Sequence, residues 1–474
     1  MASLDYNSVI MVQNAGVSAK YRLCLKRPIY PCIHLNMWYT MDLMLVSEMG
    51  LFKKEDMKGI EGFTLSCKIL NIGPEDYFNQ LDVEVRSLCE EACEWSGLTN
   101  IEWAGICGDK GGLEFRVVAK NSVGDNELCS HHRRYLHVYP SAEVVHNPGS
   151  GGDPAEYTQR DIVDHRLVSL VIGPIELGQC YKYPSSCIHH QMFSNGFRDD
   201  ATCIDDSLFN SSLECSSSRS SPSSFYSSPS PESLVSISTI SNQSSWTSET
   251  YLVNNHRAFS LPHNKTLVIQ ELWDAGIPGK VWDSAFIVAQ YMGDCFLKNE
   301  SVLFGKRILD LSTGTGFVGL YLAALCGVMS NGKAVKEMKQ TTVLLTDLEP
   351  AIDLIEKNQS LNHYLFKDVK VSTEIEVLSW GDVSKTRRLG PFDIVLASDV
   401  IYEPELFDAL IQTFVTVCTP NQTHVYVGYK RRGLSPQEEE EFFLKLAEEF
   451  KVTVVEGIGK AAEEQKIKIY KLTR

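Results

Sequence analysis

The chain has 474 residues, 43% of them hydrophobic, and a formal net charge of -16. That length accommodates two or three domains, and the composition suffices for at least one sizeable core. The acidic balance argues against nonspecific binding to nucleic acid or to an anionic membrane, since both need positive charge. No run of about 18 apolar residues occurs, so no transmembrane helix is expected. Residues 1–20 lack a basic segment followed by an apolar one, so no secretory leader is expected either. The fourteen cysteines are then expected as thiols in a reducing compartment, the cytoplasm or also the nucleus.

Residues 1–200 read as an accessory region. Leu113–Ala119 and Tyr135–Val145 carry alternating or β-branched runs, with Gly111, Gly112, Asn121 and Gly124 as punctuation. Such patterns predict short antiparallel strands joined by turns. Glu84–Trp95 reads as a helix. Two Cys-x-His-His clusters, Cys129-Ser-His131-His132 and Cys187-Ile-His189-His190, contain zinc-binding residue types. Their spacing matches no standard zinc module, so no metal is expected. Residues 201–252 form a linker. From Ser207 to Ser248 roughly half the residues are serine, interrupted by Pro222, Pro229 and Pro231. Too little apolar area is present to offset the entropy of ordering, so the linker is expected to be disordered.

From residue 253 onward the pattern changes. Strand-like runs at Arg307–Asp310, Thr342–Thr346, Val369–Val377, Phe392–Ala397, His424–Gly428, Val452–Glu456 and Ile467–Lys471 alternate with helical ones. The helical runs are Gly319–Cys326, Ala351–Asn358, Pro404–Val417 and Pro436–Phe450. Alternation of this kind predicts an α/β domain with a largely parallel sheet.

Four motifs lie at the ends of these strands. Arg307 to Leu320 (RILDLSTGTGFVGL) is a buried strand ending at Asp310, then a turn of Ser312, Thr313, Gly314, Thr315 and Gly316, then a helix start. Its glycines permit close backbone approach to a ligand. An acid just before the loop repels a pyrophosphate but suits an ammonium group. Asp347 ends the second strand, where a carboxylate can accept from both hydroxyls of a ribose, or can cap the helix that follows. Trp380, in Leu378–Asp382 (LSWGD), offers a flat face to an adenine ring or fills a core. Asp393–Phe407 (DIVLASDVIYEPELF) ends a strand at Ser398 and places Asp399 and Tyr402 just beyond it, near the reacting end of whatever binds.

Taken together the motifs resemble the seven-β-strand, Asp-x-x-Tyr methyltransferase-like protein-lysine methyltransferase family. The matching segments are Gly279-Lys-Val-Trp282-Asp283, DLSTGTGFVGL, TDLEPAIDLIEKNQSLN, SWG, SDVIY and YKRRGLSPQEEEEFF, covering about residues 272–474. The resemblance implies a doubly wound, Rossmann-like domain that uses S-adenosylmethionine. It implies cofactor contacts from Trp282, Asp310, Ser312, Thr313, Gly314, Gly316, Asp347, Trp380 and Ser398, with Asp399 and Tyr402 facing the methyl acceptor. Two departures stand out: Ser312 replaces the usual first glycine of the loop, and Ser379 replaces the acid that often precedes the tryptophan. If the first position needs positive φ, serine is strained there.

The implied reaction is methyl transfer to a lysine of a protein substrate by a single chain. Relatives of this kind act on translation elongation factors, chaperones and AAA-type ATPases. A small-molecule, nicotinamide-like N-methyltransferase is the alternative. A non-catalytic methyltransferase-fold binding protein is a third reading, favoured by Ser312 alone.

Overall fold

The computed structural model describes residues 21–47 (apart from 28 and 30), 63–72, 81–87, 100–102, 110–119, 133–142, 167–178 and 256–474 (apart from 273–275, 331–338, 368, 460, 461 and 464). The serine-rich linker and both Cys-x-His-His clusters lie outside these residues.

The first part is a two-sheet sandwich. Its strands are β1 (Tyr21–Leu25), β2 (Cys32–His34), β3 (Tyr39–Ser47), β4 (Phe63–Ile72), β5 (Leu81–Ser87), β6 (Asn100–Glu102), β7 (Lys110–Ala119), β8 (Arg133–Ala142), β9 (Leu167–Val168) and β10 (Leu170–Gly178). One sheet has the order β5-β7-β3-β1-β9, and β10, β8, β4 and β6 run side by side in the other. Side chains at every second position turn inward, as a pleated strand requires. Val83 and Val85, Leu113, Phe115 and Val117, and Leu43 and Leu45 meet Leu65, Leu136, Val138, Leu170 and Ile172 from the opposite sheet. The helix expected over Glu84–Trp95 is corrected here: its first residues continue β5, and residues 88–95 lie outside the described set. The period-two burial of Val83 and Val85, opposite Val117 and Phe115, decides for strand over helix.

A hairpin follows, β11 (His256–Ser260) and β12 (Thr266–Gln270). It was not anticipated as strand, and it joins the sandwich: His256 pairs with Val171, so the second sheet runs β12-β11-β10-β8-β4-β6.

The remaining chain is a doubly wound α/β unit. Helix α1 (Asp283–Lys298) was also not singled out; Ala285, Val288, Ala289, Met292 and Phe296 form its buried stripe at helical spacing. Then come β13 (Arg307–Leu311), α2 (Phe317–Ser330), β14 (Thr341–Asp347), α3 (Glu349–Asn362), β15 (Val371–Val377), α4 (Val383–Arg388), β16 (Ile394–Ser398), α5 (Phe407–Val417), β17 (His424–Tyr429), α6 (Pro436–Glu449), β18 (Lys451–Val454) and β19 (Lys468–Thr473). The sheet order is β15-β14-β13-β16-β17-β19-β18, parallel except for β19, which is antiparallel to both neighbours. All seven expected strands and all four expected helices are present. Helices α1, α2 and α3 cover one face and α5 and α6 the other. The strand order reverses between β13 and β16, and a crevice opens beyond the C-terminal ends of strands at such a reversal.

Candidate active site

The parallel register brings the expected residues to one edge. Leu311 lies beside Thr346 and beside Ala397, so Ser312, Asp347 and Ser398 leave their strands at the same level. The loop after β13 is held from below. Thr313 donates its backbone N–H to Thr346 O (3.0 Å), and Gly314 donates to Asp347 Oδ2 (2.7 Å). Asp310 is buried, and its Oδ2 accepts from Gly319 N (2.8 Å) and from the Thr313 hydroxyl. Asp310 therefore ties the loop to the first turn of α2. Burial pushes its carboxyl up to about 6; bonds from Thr313 and Gly319 oppose the rise, and the charge of Asp347 adds to it. Asp347 is also raised, chiefly by burial.

Ser312 adopts φ 56° and Gly314 φ 59°. The first loop position thus does need the left-handed region, and serine carries a strain of about 1 kcal/mol that glycine would not. Its hydroxyl accepts from Trp380 Nε1 at 2.8 Å, a bond that offsets a strain of about that size. Trp380 meets Tyr402 edge to face, ring centroids 6.4 Å apart. Ser312, Trp380 and Tyr402 thereby form one wall. Burial raises the Tyr402 phenol above its ordinary range, and the charges of Asp347 and Glu403 add to the effect, so it is a neutral hydroxyl at physiological pH. Ser379, which stands where the resembled family often carries an acid, is exposed, and Asp382 caps α4 through Lys385 N (2.9 Å).

Asp399 also has positive φ, 55°. A non-glycine residue is rarely held there unless its surroundings over-determine it, and here they do. Its N–H donates to Gly428 O (2.9 Å), its Oδ2 accepts from Ser284 N (3.2 Å), and Arg432 reaches both of its carboxylate oxygens. Arg432 also lies 3.4 Å from Asp283 Oδ2, which receives Lys430 Nζ at 2.6 Å. Two cations lie over the ring of Trp282: Lys280 Nζ at 4.2 Å and Arg432 at 4.6 Å from its centroid. Trp282 Nε1 donates to Ile277 O (2.9 Å), and Pro278 of that turn faces Gly314, whose absent Cβ would come within 3.4 Å of Pro278 O.

Asp283, Lys430 and Arg432 were given no role from the sequence. Their signal is the pairing of Trp282-Asp283 with the basic run Tyr429-Lys-Arg-Arg432, which only the fold brings together. Nothing in the spacing of Asn358 indicated that its side chain would reach the loop, where Nδ2 donates to Thr315 O at 2.9 Å.

Residues 262–450 match the family model described as lysine methyltransferase. The C-terminal half carries a lysine methyltransferase domain. The "Protein N-lysine methyltransferase METTL21A" of Danio rerio is 28% identical over 199 residues, 42% of this chain and 79% of that protein. The "EEF1A lysine methyltransferase 3" of Xenopus tropicalis is 28% identical over 229 residues, 48% of this chain and 88% of that one. The "Histone-arginine methyltransferase METTL23" of Rattus norvegicus is 32% identical over 134 residues, 28% and 50% respectively. The domain is an S-adenosylmethionine-dependent methyltransferase, and its residues fit that cofactor chemically. Both Asp347 oxygens hold backbone N–H groups yet keep lone pairs for two ribose hydroxyls. The buried Asp310 lies beneath the loop, so the edge is anionic where a cationic ligand is to be held. Among the described residues no helix is long and apolar enough to cross a membrane.

Proposed function

We propose that this protein transfers the methyl group of S-adenosylmethionine to the side-chain nitrogen of a lysine in a protein substrate. The observation that carries the reading is the sharing of one sheet edge. The loop and Asp347 leave β13 and β14, while Asp399 and Tyr402 follow β16, the neighbour of β13 on its other side.

The bound cofactor supplies an activated methyl on a sulfonium. The chain's own task is then positioning, which accounts for most of the help such a reaction needs. In this reading Trp282, Ser312, Thr313, Gly314, Gly316, Asp347, Trp380 and Ser398 contact the cofactor, and Asp310 holds their loop. Asp399 and Tyr402 face the acceptor. Tyr402, a neutral phenol against Trp380, offers an aromatic face and one hydroxyl to an amine. The acceptor lysine has an ordinary pKa of about 10.4 and must arrive or become neutral, and burial beside a positive sulfonium lowers that value. Asp399 keeps its ionic partner, Arg432, so it acts through the shape of the turn as well as through charge.

The relative named for EEF1A makes EEF1A the first acceptor to try. The test is incubation of the full chain with methyl-labelled S-adenosylmethionine and a cell extract, beside Asp347→Ala and Tyr402→Phe, with the labelled residue found by mass spectrometry. Label on a lysine, lost in Asp347→Ala, supports the reading. Label on an arginine, or only in small molecules, replaces it.

A further inference from the structure

The β-sandwich is linked to the cofactor edge by two buried polar connections, and both start at the end of β12. The first is Asn358 on α3, which has no exposed surface. Its Oδ1 accepts from Gln270 N (2.7 Å) while its Nδ2 donates to Gln270 O (3.0 Å) and to Thr315 O in the cofactor loop (2.9 Å). One turn on, Asn362 accepts from Val268 N (2.9 Å) and donates to Val268 O (2.6 Å). Helix α3 thus satisfies the outer edge of β12 as a further strand would. The second connection is Glu271, also without exposed surface. Its Oε1 accepts from Val281 N (2.8 Å), directly before Trp282 and Asp283. Its charge is met by Arg257 of the hairpin (3.5 Å) and by Arg22 of β1 (3.7 Å), both nearly buried.

Apolar packing runs along the same seam. Leu70, Ile72, Tyr135 and Val171 of the sandwich form one cluster with Val268 of the hairpin and Leu361 of α3. A buried carboxylate is tolerated only with its cationic partners in place. Arg22 comes from the sandwich, so the methyltransferase half completes the environment of Glu271 only when the sandwich is docked.

We propose that the N-terminal β-sandwich is a positioning element of the cofactor site, with Arg22 and Glu271 as the positioning residues. Arg22 fixes the Glu271 carboxylate, Glu271 fixes Val281, and Val281 fixes the adjoining Trp282, whose indole holds the Ile277–Pro278 turn against Gly314. The sandwich is then part of what gives this chain its affinity for the cofactor. The proposal rests on the cofactor assignment but not on the identity of the methyl acceptor. Its test is therefore binding rather than turnover.

The experiment uses the full chain and S-adenosylhomocysteine as probe, with the dissociation constant from calorimetry and thermal unfolding recorded alongside. Arg22→Ala and Glu271→Gln are expected to weaken binding about fivefold to tenfold, and Arg22→Lys to restore part of the loss. Arg86→Ala, on the same sandwich over Trp38 and away from this seam, is expected to leave binding unchanged. Unchanged binding in Arg22→Ala overturns the proposal, as does an equal loss in Arg86→Ala. Should Arg22→Ala fail to fold, Arg22→Lys and Glu271→Gln decide it: wild-type binding in both overturns it. Failure of the parent chain to bind the probe at all would instead count against the cofactor assignment.

Discussion

Arg432 holds Asp399 by both oxygens: Nε donates to Oδ1 at 3.0 Å and Nη2 to Oδ2 at 3.1 Å. The pair joins the end of β17 to the turn after β16. Asp399 has only 3% of its side chain exposed and Arg432 16%, so neither charge is well solvated alone. Removing one partner strands the other in a low-dielectric setting.

Arg432→Ala should therefore cost about 3 kcal/mol or more in denaturant unfolding, larger than loss of a surface pair. Arg432→Lys should recover only part, because an ammonium cannot make the two-pronged contact. Both variants should lower methyl transfer by relaxing the positive-φ turn at Asp399. A loss below about 0.5 kcal/mol for Arg432→Ala, the level of an exposed pair, would show that the pair does not hold the turn.

At Ser312 two opposed effects of similar size meet. The left-handed φ costs about 1 kcal/mol, and the Trp380 bond returns about 1 kcal/mol. Ser312→Ala keeps the strain and loses the bond, so it should be about 1 kcal/mol less stable. Ser312→Gly loses both and should stay within a few tenths of the parent. Trp380→Phe breaks the same bond, so its effect and that of Ser312→Ala should not add. Thermal unfolding of the three single variants and the Ala–Phe double variant checks this. If Ser312→Gly proves as unstable as Ser312→Ala, the backbone strain is not real.

These two relationships mark how far the sequence could be read. The α/β alternation, the strand ends and the acidic and aromatic residues at them were legible because each depends on local pattern: period, turn residues, an acid after an apolar run. Even the strain at Ser312 followed from asking which φ its position demands. The ion pairs of Arg432 and Lys430 were not legible, since Asp283 and Asp399 meet them only after three separate segments converge. The hairpin β11–β12 was missed for a related reason. His256–Ser260 (HRAFS) is short and half polar, and it is a strand because β12 pairs with all five of its residues and β10 meets it at His256, not through its own propensity. Over Glu84–Ser87 the expected helix gives way to strand because Val83 and Val85 alternate inward opposite Val117 and Phe115, a pairing that only β7 supplies.

The buried Asp310 carboxyl gives the cofactor site a pH dependence whose sign can be worked out. Its folded value is about 6, above the ordinary value of about 3.9 for an unfolded aspartate. Between these two values the folded state retains a proton that the unfolded chain has lost. Asp310 therefore contributes most to stability below pH about 4, and that contribution falls as pH rises to about 6. A cationic ligand favours the ionised form, so binding in this window should release a proton. The affinity for S-adenosylmethionine should tighten as pH rises through about 6, more steeply than that for S-adenosylhomocysteine, which lacks the sulfonium. Calorimetry in two buffers of different ionisation enthalpy measures the released proton directly. Equal pH slopes for the two ligands would mean that Asp310 does not sense the sulfonium charge.

Gly319 and Gly327 separate damage to the fold from damage to the site. Both lie on α2 and both are packed too closely for a side chain. A Cβ on Gly327 would come 2.2 Å from Leu365 O and 2.9 Å from Phe366 Cα, both backbone atoms that cannot swing aside. A Cβ on Gly319 would come 2.3 Å from Leu345 Cδ2 and 3.1 Å from Asp310 Oδ2, the oxygen that accepts from Gly319 N. Each alanine variant should lose about 1–3 kcal/mol in denaturant unfolding, the usual cost of overpacking. Their cofactor affinities should diverge. Pushing α2 away from β14 and β13 at Gly319 stretches the Asp310–Gly319 bond and loosens the loop that it ties down, so Gly319→Ala should bind S-adenosylhomocysteine about tenfold more weakly. Gly327→Ala, two helical turns further along and packed against the 3₁₀ turn His363–Leu365, should bind it as the parent does once folded. Equal affinities in the two variants would show that the loop does not depend on the Asp310–Gly319 contact, and that Asp310 acts on the ligand by charge alone.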